Sequence, residues 1–271
     1  MAALLIGATG LPVAAADAGS AAALRASYAA IRSDLEHSPF GQPLVLSTAE
    51  SADRLEGNIH AVLEHPFARV QAALADATHW CAILILHPNI TACRRDGADT
   101  LQVSIGKNGT PLAFSYAMPA TAADYLHVQL VADEGPAGTR DYRISVEATP
   151  LDAQHTIVRL KYSHAYGMQA RLAMRAYLST VGRGKVGFTV VGHTPDGKPV
   201  YVGDLRGALE RNAMRYYMCI EAYVDSMTAP PAQQLERRLQ AWYSYTERYP
   251  LQLREENGYL DQKRRIARSV S

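Results

Sequence analysis

The sequence has almost no excess of charge of either sign. Its 271 residues include 27 Lys and Arg side chains and 26 Asp and Glu side chains, so the formal net charge is +1. A protein that binds a polyanion through its overall charge usually carries a clear basic excess. The one dense basic run, Lys263, Arg264, Arg265 and Arg268, is more typical of a solvated helix end. We therefore expect no nucleic-acid partner.

Motifs that carry chemistry are also missing. The chain has no G-x-S-x-G nucleophile motif and no H-E-x-x-H zinc motif. Its G-x-G-x-x-G stretch, at residues 182–187, follows a predicted helix, whereas a dinucleotide site needs a strand before the glycines. We expect Glu147 and Asp152 to face water, which leaves no close pair of inward carboxylates. The sequence therefore predicts no cofactor and favours binding over catalysis, without excluding an enzyme.

Long hydrophobic runs are absent as well, since spanning a bilayer takes about 20 apolar residues. The closest approach is an alanine-rich stretch at residues 1–16, which Gly10 and Pro12 interrupt. Small residues around Ala14 and Ala16 resemble a secretory cleavage site, although no Lys or Arg precedes Arg25. We expect residues 1–16 to form a leader and the protein to be periplasmic or secreted. A cytoplasmic location is the alternative.

Cysteine is scarce, with three residues. Cys81 and Cys93 are close enough in sequence to meet, and in an exported protein we expect them to form a disulfide. One alternative is a metal site of these two cysteines with His79 and His87, but the paired two-residue spacings of structural zinc sites are lacking. The other alternative is buried free thiols, which also suits Cys219. We predict the disulfide and no metal.

The most informative stretch that is present runs from residue 55 to residue 93. Apolar and polar residues alternate between residues 55 and 64, as they do in a half-buried strand. Pro66 then ends the strand and suits the first turn of a helix, in which Phe67, Val70 and Leu74 recur at helical spacing. A second short helical segment follows, and a strand resumes around Cys93.

The rest of the chain alternates between strand and helix patterns separated by turn residues. The predicted elements are a helix at 21–38, strands at 100–107, 112–118, 125–131, 141–149 and 156–165, a helix at 169–181, a hairpin turned at 195–197, and helices at 205–227 and 233–249. Short turns between consecutive strands favour an antiparallel meander.

This order of elements resembles the helix-grip fold of the START and SRPBCC superfamily over about residues 55–227. The resemblance implies an α+β fold, in which a curved antiparallel sheet wraps around a long C-terminal helix, with extra N- and C-terminal helices. It divides the chain into a leader (1–16), an N-terminal helical appendage (17–50), a START-like ligand-binding domain (51–229) and a C-terminal helical tail (230–271). It also implies, for an exported bacterial START-like protein, an internal cavity for a lipid, sterol, polyketide or other hydrophobic molecule.

Five aromatic residues are candidates for contacting such a ligand. The strand phasing places Tyr142, Tyr162 and His164 on inward faces, and the helical stripe at 205–227 includes Tyr216 and Tyr223. Each side chain can donate a hydrogen bond to a ligand oxygen. The alternative is that these side chains fill the core, with their polar atoms satisfied by backbone or water.

Two pairs of arginines are spaced one helical turn apart. Arg211 and Arg215 could hold an anionic head group bidentately, and Arg171 and Arg175 have the same spacing. The alternative for both pairs is a solvated helix face.

We therefore expect a non-catalytic carrier of a hydrophobic small molecule. The first alternative is an enzyme of the cyclase, dehydratase or hydrolase type that uses the same cavity, with His164 as general base. The second is a protein-interaction module with no ligand. Transient membrane contact and the oligomeric state stay open.

Overall fold

The computed structural model describes residues 19–180, 182–255 and 258–270. The expected leader at residues 1–16 lies outside these residues. In the described part of the chain, we find no helix with both the length and the hydropathy needed to cross a bilayer.

Eight strands form one antiparallel sheet. They are Leu44–Glu50 (β1), Arg54–Leu63 (β2), Ile90–Arg95 (β3), Thr100–Ile105 (β4), Thr110–Ala122 (β5), Tyr125–Glu134 (β6), Thr139–Pro150 (β7) and Thr156–Tyr166 (β8). Their order across the sheet is β1-β2-β8-β7-β6-β5-β4-β3. The strands from β3 to β8 thus pair consecutively, which confirms the predicted meander, and β2 closes against β8.

Helices lie before, between and after these strands. Those in the described residues are Ala21–Ala30 (α1), Arg32–Glu36 (α2), Phe67–Leu74 (α3), Ala77–Leu84 (α4), Met168–Ser179 (α5), Asp204–Ser226 (α6), Pro231–Glu247 (α7), Pro250–Leu253 (α8) and Tyr259–Val270 (α9). A separate hairpin, Val190–His193 (β9) and Pro199–Tyr201 (β10), precedes α6. The sheet with the long helix α6 is the expected α+β helix-grip architecture.

Strand β1 was not predicted, because residues 44–50 fell within the segment assigned to helices, 17–50. It pairs with β2 along its whole length, from Leu44 opposite Ala61 to Glu50 opposite Leu55. Leu44 is the one residue of β1 that is fully buried. The strand therefore lacks the alternation of buried and exposed residues by which a strand is recognised in sequence.

Helix α6 lies close against β2 because the strand carries a glycine at the contact. A Cβ atom on Gly57 would come within 3.1 Å of the Ala213 Cβ and 3.6 Å of the Leu209 Cγ. Interiors are packed to a density that leaves little room for an added methyl group. The small residue therefore sets how near the helix approaches the sheet.

The outer face of β7 and β8 is covered by α1, where Leu24, Tyr125 and Ile157 form a small second core. This corrects the expectation that Glu147 faces water, since the residue is only 5% exposed. Its carboxylate accepts a hydrogen bond of 2.6 Å from the Tyr125 hydroxyl and pairs with Arg159. An alternating strand pattern identifies the second face of a sheet but not the helix that covers it.

The C-terminal basic run is also not uniformly solvated. Lys263 is fully buried and donates hydrogen bonds of 2.7 Å to the backbone carbonyls of His87 and Ile90. Burial lowers the pKa of its ammonium group to about 8. Arg264, in contrast, forms exposed ion pairs with Glu236 and Asp261. Lys263 thus anchors α9 against the turn between α4 and β3.

The expected disulfide between Cys81 and Cys93 is present and joins α4 to β3. The two histidines of the alternative metal site are used elsewhere: His79 contacts the Ala73 carbonyl, and the ring of His87 stacks on Tyr216. Among the residues described, no group of three or more His, Cys, Asp or Glu side chains is arranged to hold a metal ion.

Candidate functional site

A cavity of about 280 Å³ lies between the sheet and the first half of α6. Its walls come from β2, β7, β8, α5 and α6 and from two loops. The lining residues are Leu55, Asn89, Tyr142, Tyr162, His164, Met174, Tyr177, Leu178, Lys185, Leu205, Ala208, Leu209, Arg211, Asn212 and Arg215. Leucine, methionine and tyrosine side chains supply the apolar part of its walls, and asparagine, histidine, lysine and arginine side chains supply a polar part of nearly equal extent.

Aromatic rings form one wall of this cavity. Tyr162 and His164 are two residues apart on β8 and so share a face of the sheet. Tyr142 on β7 stacks on His164, with ring centroids 5.0 Å apart and planes 13° from parallel. The ring of Tyr216, on α6, packs against the ring of Tyr162, with 5.0 Å between the ring centroids. The four rings thus connect the sheet to the helix.

Burial keeps these aromatic groups uncharged. It raises the pKa values of the Tyr142, Tyr162 and Tyr216 hydroxyls, so that each remains a hydrogen-bond donor at neutral pH. Burial, helped by the charge of Arg54, lowers the pKa of His164 to about 4. The imidazole is therefore neutral at pH 7. Its buried Nδ1 has no hydrogen-bond partner among the described residues.

The opposite wall carries positive charge. Arg211 and Arg215 lie one turn apart on α6 and present their guanidinium groups on the same side of the helix. Lys185 stands at the exposed mouth, where it donates a hydrogen bond of 2.6 Å to the Tyr177 hydroxyl. The residues described as lining the cavity include no Asp or Glu.

The two arginines are held in different ways. Arg211 donates from Nε to the Gln252 carbonyl at 2.7 Å, and burial followed by the charge of Arg215 lowers its pKa to about 10. Arg215 pairs through Nη2 with Glu255 at 3.2 Å, just outside the cavity. The buried Nε of Arg215 has no partner among the described residues. An unsatisfied buried donor of this kind is unfavourable unless a ligand or water completes it.

The structure brings most of the candidate residues together. Tyr142, Tyr162, His164, Arg211 and Arg215 line one cavity, and Tyr216 packs against it.

Three other candidates lie outside it. Tyr223 is near the far end of α6, where the Arg238 guanidinium covers its ring at 4.6 Å. Arg171 and Arg175 turn toward acidic residues instead: both approach Glu50, and Arg175 lies 3.2 Å from Asp204.

Sequence reasoning missed three polar lining residues. Asn212 interacts with both the Tyr162 hydroxyl and the His87 ring, and its presence on an otherwise apolar helical stripe was a usable signal. Asn89 and Lys185 come from loops that are far apart in sequence. No local pattern marks them, because only the folded chain brings their loops to the same mouth.

No protein-family model matches the sequence, and neither does any curated protein. Similarity is found among solved structures. A START superfamily protein from Mycobacterium smegmatis is 10% identical, with a TM-score of 0.37, over 65% of this chain and 99% of that one. The Zhui aromatase/cyclase from Streptomyces sp. R1128 is 12% identical, with a TM-score of 0.38, over 65% and 96%.

A third similar structure is norcoclaurine synthase from Thalictrum flavum, which is 10% identical, with a TM-score of 0.35, over 51% of this chain and 88% of that chain. The sheet order and the long helix that packs on it form the helix-grip arrangement that the START/SRPBCC resemblance of the sequence implied.

Proposed function

From this START/SRPBCC-like fold, we propose that the protein binds a small amphipathic molecule with an apolar or aromatic body and one anionic group. The observation that carries the proposal is the charge of the cavity. Lys185 and Arg211 converge on aromatic and leucine walls together with Arg215, whose charge is offset by Glu255 outside the lining, and the lining residues described include no acidic side chain. Such a site attracts an anion and excludes a cation.

The volume of the cavity limits the size of the ligand. About 280 Å³ lies just below the usual range of small-molecule sites, roughly 300–1,000 Å³. This favours a compact molecule of one or two rings over a sterol or a two-chain lipid. The carboxylate or similar group would lie near Arg211 and Arg215, and the body would lie along Tyr162, His164 and Leu209.

Binding without catalysis is the preferred form of this proposal. The cavity tyrosines are neutral donors, and no nucleophile with an adjacent base lines the cavity in the part of the chain that is described. We further propose that the protein is exported and that it delivers the ligand between compartments. The Cys81–Cys93 disulfide is compatible with export.

One observation favours a second candidate, an enzyme of the cyclase, dehydratase or hydrolase type. His164 is neutral, sits against Tyr142 and Tyr162, and has a ring nitrogen without a partner among the described residues. A neutral imidazole can accept a proton as a general base, and a pKa of about 4 makes His164 a weak base at neutral pH. To separate the candidates, His164→Phe and Tyr162→Phe are assayed on the ligand that co-purifies. Loss of turnover with uptake retained would favour catalysis.

The charge requirement is tested with a matched pair of probes, 2-naphthoate and the uncharged 2-naphthylmethanol, by isothermal titration calorimetry. We expect the anion to bind at least about tenfold more tightly, a difference of about 1.4 kcal/mol. Arg211→Met should abolish that preference while leaving binding of the alcohol unchanged. Arg175→Met is the control, because Arg175 belongs to a helix beside the cavity but pairs with Asp204.

The proposal fails if naphthoate and naphthylmethanol bind equally, or if Arg211→Met and Arg175→Met have the same effect. Native mass spectrometry of protein purified without detergent adds an independent measurement. A retained small mass that extracts as an acid supports the proposal.

A further inference from the structure

A second cavity of about 280 Å³ lies at the other end of α6. It is enclosed by the loop before β1, the end of β2, the last turns of α6 and helix α7. Its lining residues are Gly41, Gln42, Pro43, Val62, Leu63, Glu64, His65, Glu221, Asp225, Tyr245 and Arg248. None of these residues lines the first cavity.

The charge of this second cavity is the reverse of the first. It is lined by the three carboxylates of Glu64, Glu221 and Asp225. Among the described lining residues, the guanidinium of Arg248 is the one positive group of an arginine or lysine. Arg248 lies over the ring of Tyr245, with 4.9 Å from its central carbon to the ring centroid. The same helix thus presents arginines to one cavity and carboxylates to the other.

Asp225 is fully engaged by its neighbours. His65 contacts one carboxylate oxygen through Nε2 at 2.5 Å, and the Tyr245 hydroxyl donates to the other. Arg69 donates to His65 Nδ1 at 3.1 Å, so the ring proton of His65 lies on Nε2 and points to Asp225. This arrangement holds Asp225 as an oriented carboxylate beside Glu221.

Glu221 is not satisfied in this way. Its Oε1 accepts a hydrogen bond of 3.3 Å from Tyr217 and the Gln42 side chain approaches the carboxylate, but the buried Oε2 has no hydrogen bond of ordinary length in the described part of the chain. A buried acceptor without a donor is costly, and a donor from a ligand would relieve it. The group that fits must bring a hydrogen-bond donor and, beside three carboxylates, a positive charge.

We propose that this second cavity binds a small organic cation through a primary ammonium group that donates to Glu221, with Glu64 and Asp225 supplying the remaining negative charge. The proposal is independent of the function proposed for the first cavity, because it involves other residues and the opposite ligand charge.

Protonation of Glu221 should be linked to this binding. Burial, followed by the charge of Asp225, raises the pKa of Glu221 to about 7, and Arg248, Tyr217 and Gln42 oppose the shift. The other charged or titratable groups packed around it are Tyr245 on α7, Tyr249 after α7, Glu64 and His65 just after β2, and Arg69 on α3. A bound ammonium group favours the ionised carboxylate, so binding releases a proton and strengthens as pH rises. Between about pH 6 and about pH 8 the affinity should rise about tenfold.

The test uses the full chain and the probe benzylammonium, with benzyl alcohol as its uncharged counterpart, in calorimetric titrations up to about 10 mM, at which even a millimolar Kd gives saturation. We expect saturable binding of benzylammonium, no comparable binding of the alcohol, and the release of about half a proton per bound ligand into the buffer near pH 7. Glu221→Gln should lower the affinity at least about tenfold at pH 8 and abolish its pH dependence.

Two further variants keep the result decisive. Glu64 is exposed on the rim of the cavity. Glu64→Gln should weaken binding about two- to threefold, because solvent partly screens this charge. This variant replaces Glu221→Gln as the test if Glu221→Gln does not fold. Glu236→Gln, on the far side of α7, is the control that should change nothing. Absence of saturable binding, equal binding of the alcohol, or affinity unchanged in both Glu221→Gln and Glu64→Gln would overturn the proposal.

Discussion

Arg215 and Glu255 form a buried ion pair that joins α6 to the segment between α8 and α9. Their side chains are 8% and 6% exposed, and the Arg215 Nη2 lies 3.2 Å from the Glu255 Oε1. Because Arg215 also lines the first cavity, the ion pair connects that cavity to the C-terminal segment. The residues after α7 are therefore part of the structure that supports the site.

Removing one partner of this pair should be strongly destabilising. Glu255→Ala leaves the Arg215 charge buried without its counterion, and we expect the free energy of unfolding to fall by about 3 kcal/mol in urea denaturation. The control is Glu236→Ala, which breaks an ion pair with Arg264 in which the glutamate is 50% exposed. That change should cost less than about 1 kcal/mol. Equal losses in the two variants would show that the burial of the pair does not matter.

The neutral, buried state of His164 should make stability depend on pH. Its pKa is about 4 in the folded protein, against about 6.5 in an unfolded chain. Between these values the unfolded chain binds more protons, so acidification favours unfolding. As the pH falls from about 7 to about 4, this residue should remove about 3 kcal/mol of stability.

The measurement is urea denaturation of the wild type and His164→Phe across that pH range. The stability difference between them should shift by the same amount in favour of the variant at low pH. His193→Phe, at an exposed position of β9, is the control. Parallel profiles for wild type and His164→Phe would contradict the prediction.

Reduction of the Cys81–Cys93 disulfide should lower the stability measurably. The two cysteines are separated by 12 positions, and closing a loop of that length stabilises the folded state by about 3 kcal/mol in the chain-entropy description. We expect dithiothreitol to lower the Tm of the wild type and to have no effect on the Cys81→Ala/Cys93→Ala variant. Cys219→Ser should keep the dithiothreitol effect, because Cys219 is a free buried thiol.

A methyl group added at Gly207 should destabilise the start of α6. A Cβ atom there would lie 2.6 Å from the Val202 carbonyl oxygen and 3.0 Å from the Gly187 nitrogen, both backbone atoms that cannot rotate away. Gly207→Ala should therefore cost about 2 kcal/mol. Gly192→Ala, where a Cβ atom meets nothing within 4 Å, is the control. Equal stability of the two variants in urea would indicate that the backbone near Gly207 yields freely.

Several parts of the fold could be predicted because their signal is local. The alternation at residues 55–63 and the turn residues between later strands predicted the meander, and the helical stripe at 205–227 predicted α6. The inward phase of Tyr162 and His164 followed from the same two-residue period, which is why the aromatic wall was found. Strand β1 escaped detection because an edge strand with one fully buried residue has little such periodicity.

Burial of charged residues was the least predictable feature. Nothing in the sequence around Glu147 or Lys263 predicts that they are buried, yet α1 covers the first and the packing of α9 buries the second. Their partners, Tyr125 and Arg159 for Glu147 and the His87 and Ile90 carbonyls for Lys263, are distant along the chain.

By itself the sequence determined the order of the strands and helices other than β1 and the apolar face of most of them, because hydrophobic periodicity and turn chemistry act between neighbouring residues. The tertiary structure alone decided that Arg211 and Arg215 meet Lys185, and that Glu221 and Asp225 meet Glu64, giving one helix a cavity of each charge. Residues so far apart in sequence come together only when burial of the whole core brings their helices and strands into contact. A local sequence pattern therefore does not predict which of them meet.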